Sequence, residues 1–238
     1  MKDTLNQSQK KFMKIAIDGP AGAGKSTVAK AVAEKTGFYY LDSGKIYRAC
    51  TWVLVNNQLH MSDLDKLLHQ LHSGNLEIVQ QGQEGVTVYF ENHKLDDELR
   101  TPQINDLVST IASQPKIREY VTSVLRHFSC HHNVVMDGRD IGTVVFPDAD
   151  VKIYLTADQR IRAQRRVEEL KTSGILSTVD EVEKSIVKRD FQDQTRTHSP
   201  LQIADDAVVI NSTYLSVQEV VEKVIRLISH ANSQEGNH

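Results

Sequence analysis

Residues 13–37 read Met13-Lys-Ile-Ala-Ile17-Asp18-Gly19-Pro-Ala-Gly-Ala-Gly24-Lys25-Ser26-Thr-Val28-Ala-Lys-Ala-Val32-Ala-Glu-Lys-Thr-Gly37, and the order of residue types in this stretch decides the fold. Met13 to Ile17 form a short apolar run, broken by Lys14, that reads as a buried strand. Asp18-Gly-Pro-Ala-Gly ends it in a tight loop. From Ser26 the small and apolar residues fall at Val28, Ala29, Val32 and Ala33, with Lys30, Glu34 and Lys35 opposite, which is helical spacing stopped by Gly37. The stretch is therefore strand, glycine loop, helix.

Gly19 to Ser26 also fits G-x-x-x-x-G-K-[ST] at every fixed position. Glycines at that spacing let successive backbone N–H groups turn inward around a polyphosphate, and the helix that follows adds the positive end of its dipole. Lys25 would reach the outer phosphates and the Ser26 hydroxyl would ligate magnesium. Gly19, Pro20, Ala21, Gly22, Ala23, Gly24, Lys25, Ser26 and Thr27 are the expected nucleotide-binding residues. A glycine-rich turn with an exposed lysine is the bland alternative, and the flanking strand and helix argue against it.

Outward from this loop the pattern repeats. Phe38–Leu41, Val134–Met136, Val151–Leu155 and Ala207–Ile210 read as further core strands. Helices are expected over Lys45–Asn56, from Ser62 or Asp63 to Leu71, over Thr101–Ser113, Pro115–Cys130 and Asp158–Lys171, from the capping-box spacing Thr178-Val-Asp-Glu181 to Arg196, and after Ser216. Ser173-Gly174 separates two of them. Strands alternating with helices make an α/β fold whose parallel sheet is covered on both faces. The exception lies at 75–96, where Leu76, Ile78, Val86, Val88 and Phe90 alternate with polar residues and Gly82 and Gly85 supply a turn. This is a small antiparallel insert. The expected division is a core of residues 13–58 and 130–230 with a lid at about 158–196, an insert lobe at 59–129, and flexible tails at 1–12 and 231–238.

The 238 residues carry a formal net charge of -3, with 39% hydrophobic and 25% charged residues. That is enough apolar material for one large domain, or a core with an inserted lobe, and too little positive field for a general nucleic-acid binder. No apolar run approaches the length of a membrane span, and the start lacks a signal-peptide pattern. Cys50 and Cys130 have no metal-type spacing and read as free thiols in a reducing cytosol. Cys50 and Trp52 fall on a helix face and read as core.

A glycine loop alone serves a switch, a motor or a kinase. Asn92-His-Lys-Leu-Asp lacks the N-K-x-D spacing of a guanine reader, and no L-S-G-G-Q signature occurs. Instead, Arg189, Asp193 and Arg196 fall at i, i+4 and i+7 of one helix, and Arg162, Arg165 and Arg166 at i, i+3 and i+4 of the helix before it. Two basic faces joined at Gly174 suit a lid closing over phosphates. Ser43-Gly-Lys-Ile-Tyr47-Arg48 and Asp137-Gly-Arg139-Asp140 each follow a core strand, at the edge where α/β sheets hold ligands.

In chain order, D-G-P-A-G-A-G-K-S-T, L-D-S-G-x-I-Y-R, D-G-R-D-I-G-T-V-V-F-P-D-A, R-D-x-x-D-x-x-R-x-x-S-P-L and A-D-D-A-x-x-I-N-S-T resemble the bacterial cytidylate kinases. The resemblance runs from about residue 15 to 228 and is far more specific than the glycine loop. It implies a P-loop kinase of the nucleoside monophosphate kinase group, with the antiparallel insert in the acceptor-binding lobe. It implies phosphoryl transfer from ATP to CMP or dCMP with Mg2+, in pyrimidine metabolism, by a cytoplasmic monomer. Carried over residue by residue, Ser43 and Arg48 hold the acceptor phosphate with Tyr47 alongside. Ser109, Arg118 and Asp140 read the cytosine, the last two as a pair. Arg189 and Asp193 bind the sugar, Arg139 and Arg196 bear on the phosphates, and Arg162 and Arg166 come from the lid. The catalytic set is then Lys25, Arg139, Arg162, Arg166 and Arg196, with Ser26 on the metal. Asp137 is either a partner of the metal through water or a brace for its own turn. A kinase of another small acceptor such as UMP, or a nucleotide-dependent regulatory module, is the alternative.

Overall fold

The structure is a computed structural model that describes residues 12–80, 86–172 and 174–235. Its first strand, β1 (Lys14–Asp18), buries every residue after Lys14, as a strand flanked on both sides must. The glycine loop follows, and α1 (Lys25–Thr36) ends at Gly37, whose φ of 71° closes the helix in the left-handed region. β2 (Tyr39–Asp42) passes directly into α2 (Ser43–Asn56). Spacing places the start of α2 at Lys45, but the Asp42 carboxylate accepts the Lys45 amide at 3.1 Å and draws Ser43 and Gly44 into the first turn.

α3 (Leu64–Ser73) leads to β3 (Glu77–Gln80), β4 (Val86–Phe90) and β5 (His93–Leu95), an antiparallel sheet in that order. The expected turn at Gly82 and Gly85 lies outside the described residues. α4 (Pro102–Ala112) and α5 (Pro115–Ser129) both carry proline in the first turn. β6 (Val134–Gly138) runs into a π-helical turn at Ile141–Val145 that periodicity does not predict. Then come β7 (Val151–Thr156), α6 (Gln159–Thr172), α7 (Val179–Thr195), β8 (Val208–Asn211) and α8 (Val217–Glu235). The capping box at Thr178 and Glu181 is present, and Gly174 has φ 76° after α6; Ser173 lies outside the described residues.

α8 continues past His230, where a frayed tail is expected. Ser216 and Glu219 cap it reciprocally. Val220, Val221, Val224 and Ile228 anchor it, and the Ser229 and Ser233 hydroxyls donate back to carbonyls one turn earlier.

The five core strands are parallel in the order β2-β6-β1-β7-β8. Asp18 pairs with Gly138 and Asp42 with Asp137, so the glycine loop, the start of α2 and the turn after β6 emerge side by side at the carboxyl edge. One apolar cluster joins the sheet to α1 and α8. Another runs from the opposite face through α2 and α5 into the antiparallel sheet, taking in Cys50, Leu71, Val88 and Phe90. The insert therefore shares its core with the helix that begins at the site, and Trp52 of that helix packs on Phe90 and His93.

Candidate active site

The phosphate loop is held from outside. Gly19 has φ 148°, and a Cβ there would stand 2.0 Å from the Leu155 carbonyl oxygen, so only glycine lets the loop leave β1 alongside β7. The Ala21 amide donates to Asp190 Oδ1 at 2.9 Å, and its carbonyl accepts from Arg162 Nη1 at 2.8 Å. Arg162 Nη1 in turn meets Asp190 Oδ2 at 2.5 Å. Lys25 lies folded back, its Nζ donating to the Pro20 carbonyl at 2.8 Å. Burial, with Arg139 next in weight, brings its pKa down from 10.5 to about 7.

Asp137 is the hub of the carboxyl edge. Its carboxylate accepts from Ser26 Oγ at 2.9 Å and Tyr40 Oη at 2.7 Å, and its backbone carbonyl accepts from Ser43 Oγ at 3.0 Å. Burial and then the Asp42 charge push its pKa up, against the pull of Lys25. Among the described residues no group of three or more His, Cys, Asp or Glu side chains could hold a metal. A hydroxyl and a carboxylate together offer only hard oxygen donors, which fits Mg2+, an ion that keeps several waters and takes phosphate oxygens as ligands.

A cavity of about 420 Å³ lies between the phosphate loop, the first turn of α2 and one face of α7. Arg48, Arg139, Arg166 and Arg189 line it. Arg139 donates from Nε to Asp193 at 2.6 Å and Arg166 to Glu169 at 2.8 Å. Arg48 and Arg189 have no hydrogen bond or ion pair among the described residues. Desolvation within the cleft, then repulsion from Arg139, brings the Arg189 pKa down to about 10. Asp193 offsets part of that repulsion, and two guanidiniums free of hydrogen bonds beside a buried lysine still leave the cleft suited to a polyanion.

Behind this cavity stands a second polar centre. Arg118 and Asp140, 5% and 4% exposed, form a salt bridge. Arg118 also donates to the Ala112 carbonyl at 2.9 Å and lies 5.3 Å over the Tyr47 ring. Arg196 donates to the Ser199 carbonyl at 2.5 Å, and its Nη2 is 3.6 Å from Asp140. Arg118 Nε and Arg196 Nη2 are buried without a hydrogen-bond partner. Such orphans cost free energy unless a ligand satisfies them.

The residues singled out from the sequence thus gather at two centres, with exceptions. Arg196 and Asp193 bridge from the phosphate side to the Asp140 side. Ser109 lies on an exposed face of α4. The three arginines of α6 have different partners. Arg162 clamps the phosphate loop, Arg165 donates to the Ser212 hydroxyl and carbonyl at 3.0 and 2.7 Å, and Arg166 faces the cavity. Sequence reasoning missed Tyr40, Asp190 and a second, more apolar cavity of about 490 Å³ on the far side of Gly24 and Thr27, bounded by Arg165, Leu215 and Val220. The position of Asp190 next to Arg189 in R-D-x-x-D was the available signal for it. Nothing in the residue spacing points to the cavity.

A sequence model of the cytidylate kinase family matches residues 15–230. The chain is 43% identical over 220 residues to a cytidylate kinase of Carboxydothermus hydrogenoformans, covering 92% of this chain and 99% of that one. It is 43% identical over 218 residues to a cytidylate kinase of Alkaliphilus metalliredigens, covering 92% and 97%. Among solved structures it is similar to a shikimate kinase from Acinetobacter baumannii at 16% identity and a TM-score of 0.41, covering 92% and 94%.

Proposed function

The chain belongs to the cytidylate kinase family and is a nucleoside monophosphate kinase that phosphorylates CMP and dCMP from ATP, and within that reaction we propose the following division of labour. The phosphate loop and Lys25 hold the donor polyphosphate. Arg48, Ser43 and the amino end of α2 hold the acceptor phosphate, with Arg139, Arg166 and Arg189 around the transferring group. Asp193 and Arg189 take the sugar. Tyr47, Arg118 and Asp140 surround the cytosine, with Arg196 beside them. The adenine enters the apolar cavity beside Arg165 and Leu215. The observation that carries this reading is the pair of buried, unpartnered donors on Arg118 and Arg196 around the Asp140 carboxylate.

The acceptor phosphate is largely ionised at neutral pH, its second pKa being about 6, so no general base is required. The obstacle is to align two anions and exclude water. Lys25 leaves the Pro20 carbonyl for the outer phosphates. Arg48 and Arg189 stand in the cleft unpaired in advance, so they stabilise the developing charge without first breaking an ion pair. Mg2+, held by Ser26 with Asp137 through water, would neutralise phosphate oxygens. Cytosine donates its exocyclic amine to Asp140. Uracil presents a carbonyl there, acceptor against acceptor, at a cost of about 1 to 3 kcal/mol.

We place the enzyme in the cytoplasm as a monomer, with CMP and dCMP its partners and neither nucleic acid nor membrane among them. Both cysteines are free, which suits a reducing compartment, and among the described residues no helix is long and apolar enough to cross a membrane. The test is to incubate the enzyme with ATP, Mg2+ and CMP and follow ADP and CDP together. The two should appear in equal amounts, and Lys25→Ala should fold and lose nearly all turnover. ADP release that proceeds without any monophosphate, or a folded Lys25→Ala of normal activity, contradicts the reading.

A further inference from the structure

The Ile141–Val145 turn, which follows Asp140 directly, is fixed by charged side chains from three distant elements. Its π-type bonds run from the amides of Val145 and Phe146 to the carbonyls of Asp140 and Ile141, leaving the first amides without partners inside the turn, as at any helix start. Asp18 supplies them. From the end of β1 its carboxylate accepts the Ile141 amide at 2.9 Å and the Gly142 amide at 2.7 Å. Asp18 is 5% exposed, and burial pushes its pKa up to about 6 while those two amides pull it down.

The other end of the turn is held by α5. Arg126 donates from Nε to the Val145 carbonyl and from Nη2 to the Val144 carbonyl, both at 2.8 Å. Lys152 caps the exit, donating to the Pro147 carbonyl at 2.6 Å. Its stem packs closely on Gly142, where a Cβ would meet Lys152 Cδ at 3.2 Å and Asp18 Oδ2 at 3.4 Å. Arg126 shares its helix with Arg118, the partner of Asp140. One anchor therefore ties the turn to the strand that enters the phosphate loop, and the other ties it to the helix that carries the opposing half of the base-reading pair.

We propose that Asp18 and Arg126 are positioning residues for base selection, holding the Ile141–Val145 turn so that the Asp140 carboxylate stays paired with Arg118 and aimed at the acceptor base. The inference rests on the reading of Asp140 as the group that meets cytosine. In Asp18→Asn the side-chain amide would face a backbone amide, donor against donor, so one end of the turn is released.

The experiment compares kcat/KM for CMP and for UMP in the wild type, Asp18→Asn, Arg126→Gln, Asp140→Asn and the double variant Asp18→Asn/Asp140→Asn. Arg126 is at the surface, so its variant keeps the test open should Asp18→Asn fail to fold. The CMP to UMP ratio is expected to fall about tenfold in Asp18→Asn, the scale of one hydrogen bond to a charged group, and in the same direction in Arg126→Gln. The double variant should show no lower ratio than Asp140→Asn alone, the mark of residues acting through one another. A merely structural role lowers both constants together, and an unmoved ratio in the folded Asp18 or Arg126 variants, alongside a lowered one in Asp140→Asn, overturns the proposal. An unmoved ratio in Asp140→Asn sinks the base reading itself, and the proposal falls with it.

Discussion

Arg162 and Asp190 form a buried ion pair, 2.5 Å from Nη1 to Oδ2, that closes on the peptide units at Ala21 from both sides. The pair joins α6, α7 and the phosphate loop in one hydrogen-bonded unit. Removing one partner strands a buried charge, whereas replacing both with apolar groups removes the problem. Asp190→Leu should therefore lose about 3 kcal/mol or more in urea unfolding, and Arg162→Leu/Asp190→Leu should recover much of it. If Arg162 also touches the transferring phosphate, as the family resemblance implies, the stable double variant will still be nearly inactive. Full turnover in that variant assigns Arg162 to the clamp alone.

Lys25 is held in a site that disfavours its charge. Its pKa is 10.5 in the unfolded chain and about 7 in the fold. Between those values the unfolded chain holds the extra proton, so stability from this group rises with pH, and below pH 7 the penalty is fully present. Lys25→Met should raise the melting temperature of the ligand-free protein at about pH 6.5, with a gain that shrinks toward about pH 10. Phosphates should raise the Lys25 pKa again. At about pH 8, ATP binding should therefore take up protons, seen as a buffer-dependent heat in calorimetry, and Lys25→Met should abolish that part of the uptake.

Tyr40 donates to the Asp137 oxygen opposite the one that Ser26 uses. In Tyr40→Phe the affinity for Mg2+·ATP should fall about tenfold, the usual range for an outer-shell metal partner. Titration calorimetry of ATP without metal should give an unchanged affinity. An equal loss with and without Mg2+ would mean that Tyr40 acts on the loop rather than on the ion.

Arg189 lines the cavity, unpaired among the described residues and repelled by Arg139. Inorganic phosphate should raise the melting temperature of the wild type by occupying the cavity. Arg189→Met, at an exposed position of α7, should gain less from it. A variant that gains as much as the wild type would remove Arg189 from the phosphate site.

The strands and helices that build the sheet were legible because burial on both faces of β1 and the spacing of Val28, Val32 and Leu71 leave a periodic trace. Lys25, Ser26, Arg48 and Arg139 were legible because short motifs fix them at the ends of strands. The Arg162–Asp190 clamp was not, since Arg165 and Arg166 on the same helix look identical by spacing and their partners are chosen by tertiary contacts. The Ile141–Val145 turn was hidden for the same reason: the carboxylate that caps it belongs to residue 18. The start of α2 was misjudged by periodicity, which counts apolar faces and does not register the Asp42 cap.

On the proposed function, the cavity at the carboxyl edge accepts a cytidine monophosphate and passes it a phosphoryl group from ATP. The most direct test of this is kcat/KM for CMP, dCMP, UMP and AMP, measured by coupled ADP release at fixed ATP and Mg2+. The expected result is CMP and dCMP well above UMP, with AMP lowest. Equal values for CMP and UMP, or ATP binding with no monophosphate phosphorylated, would contradict it.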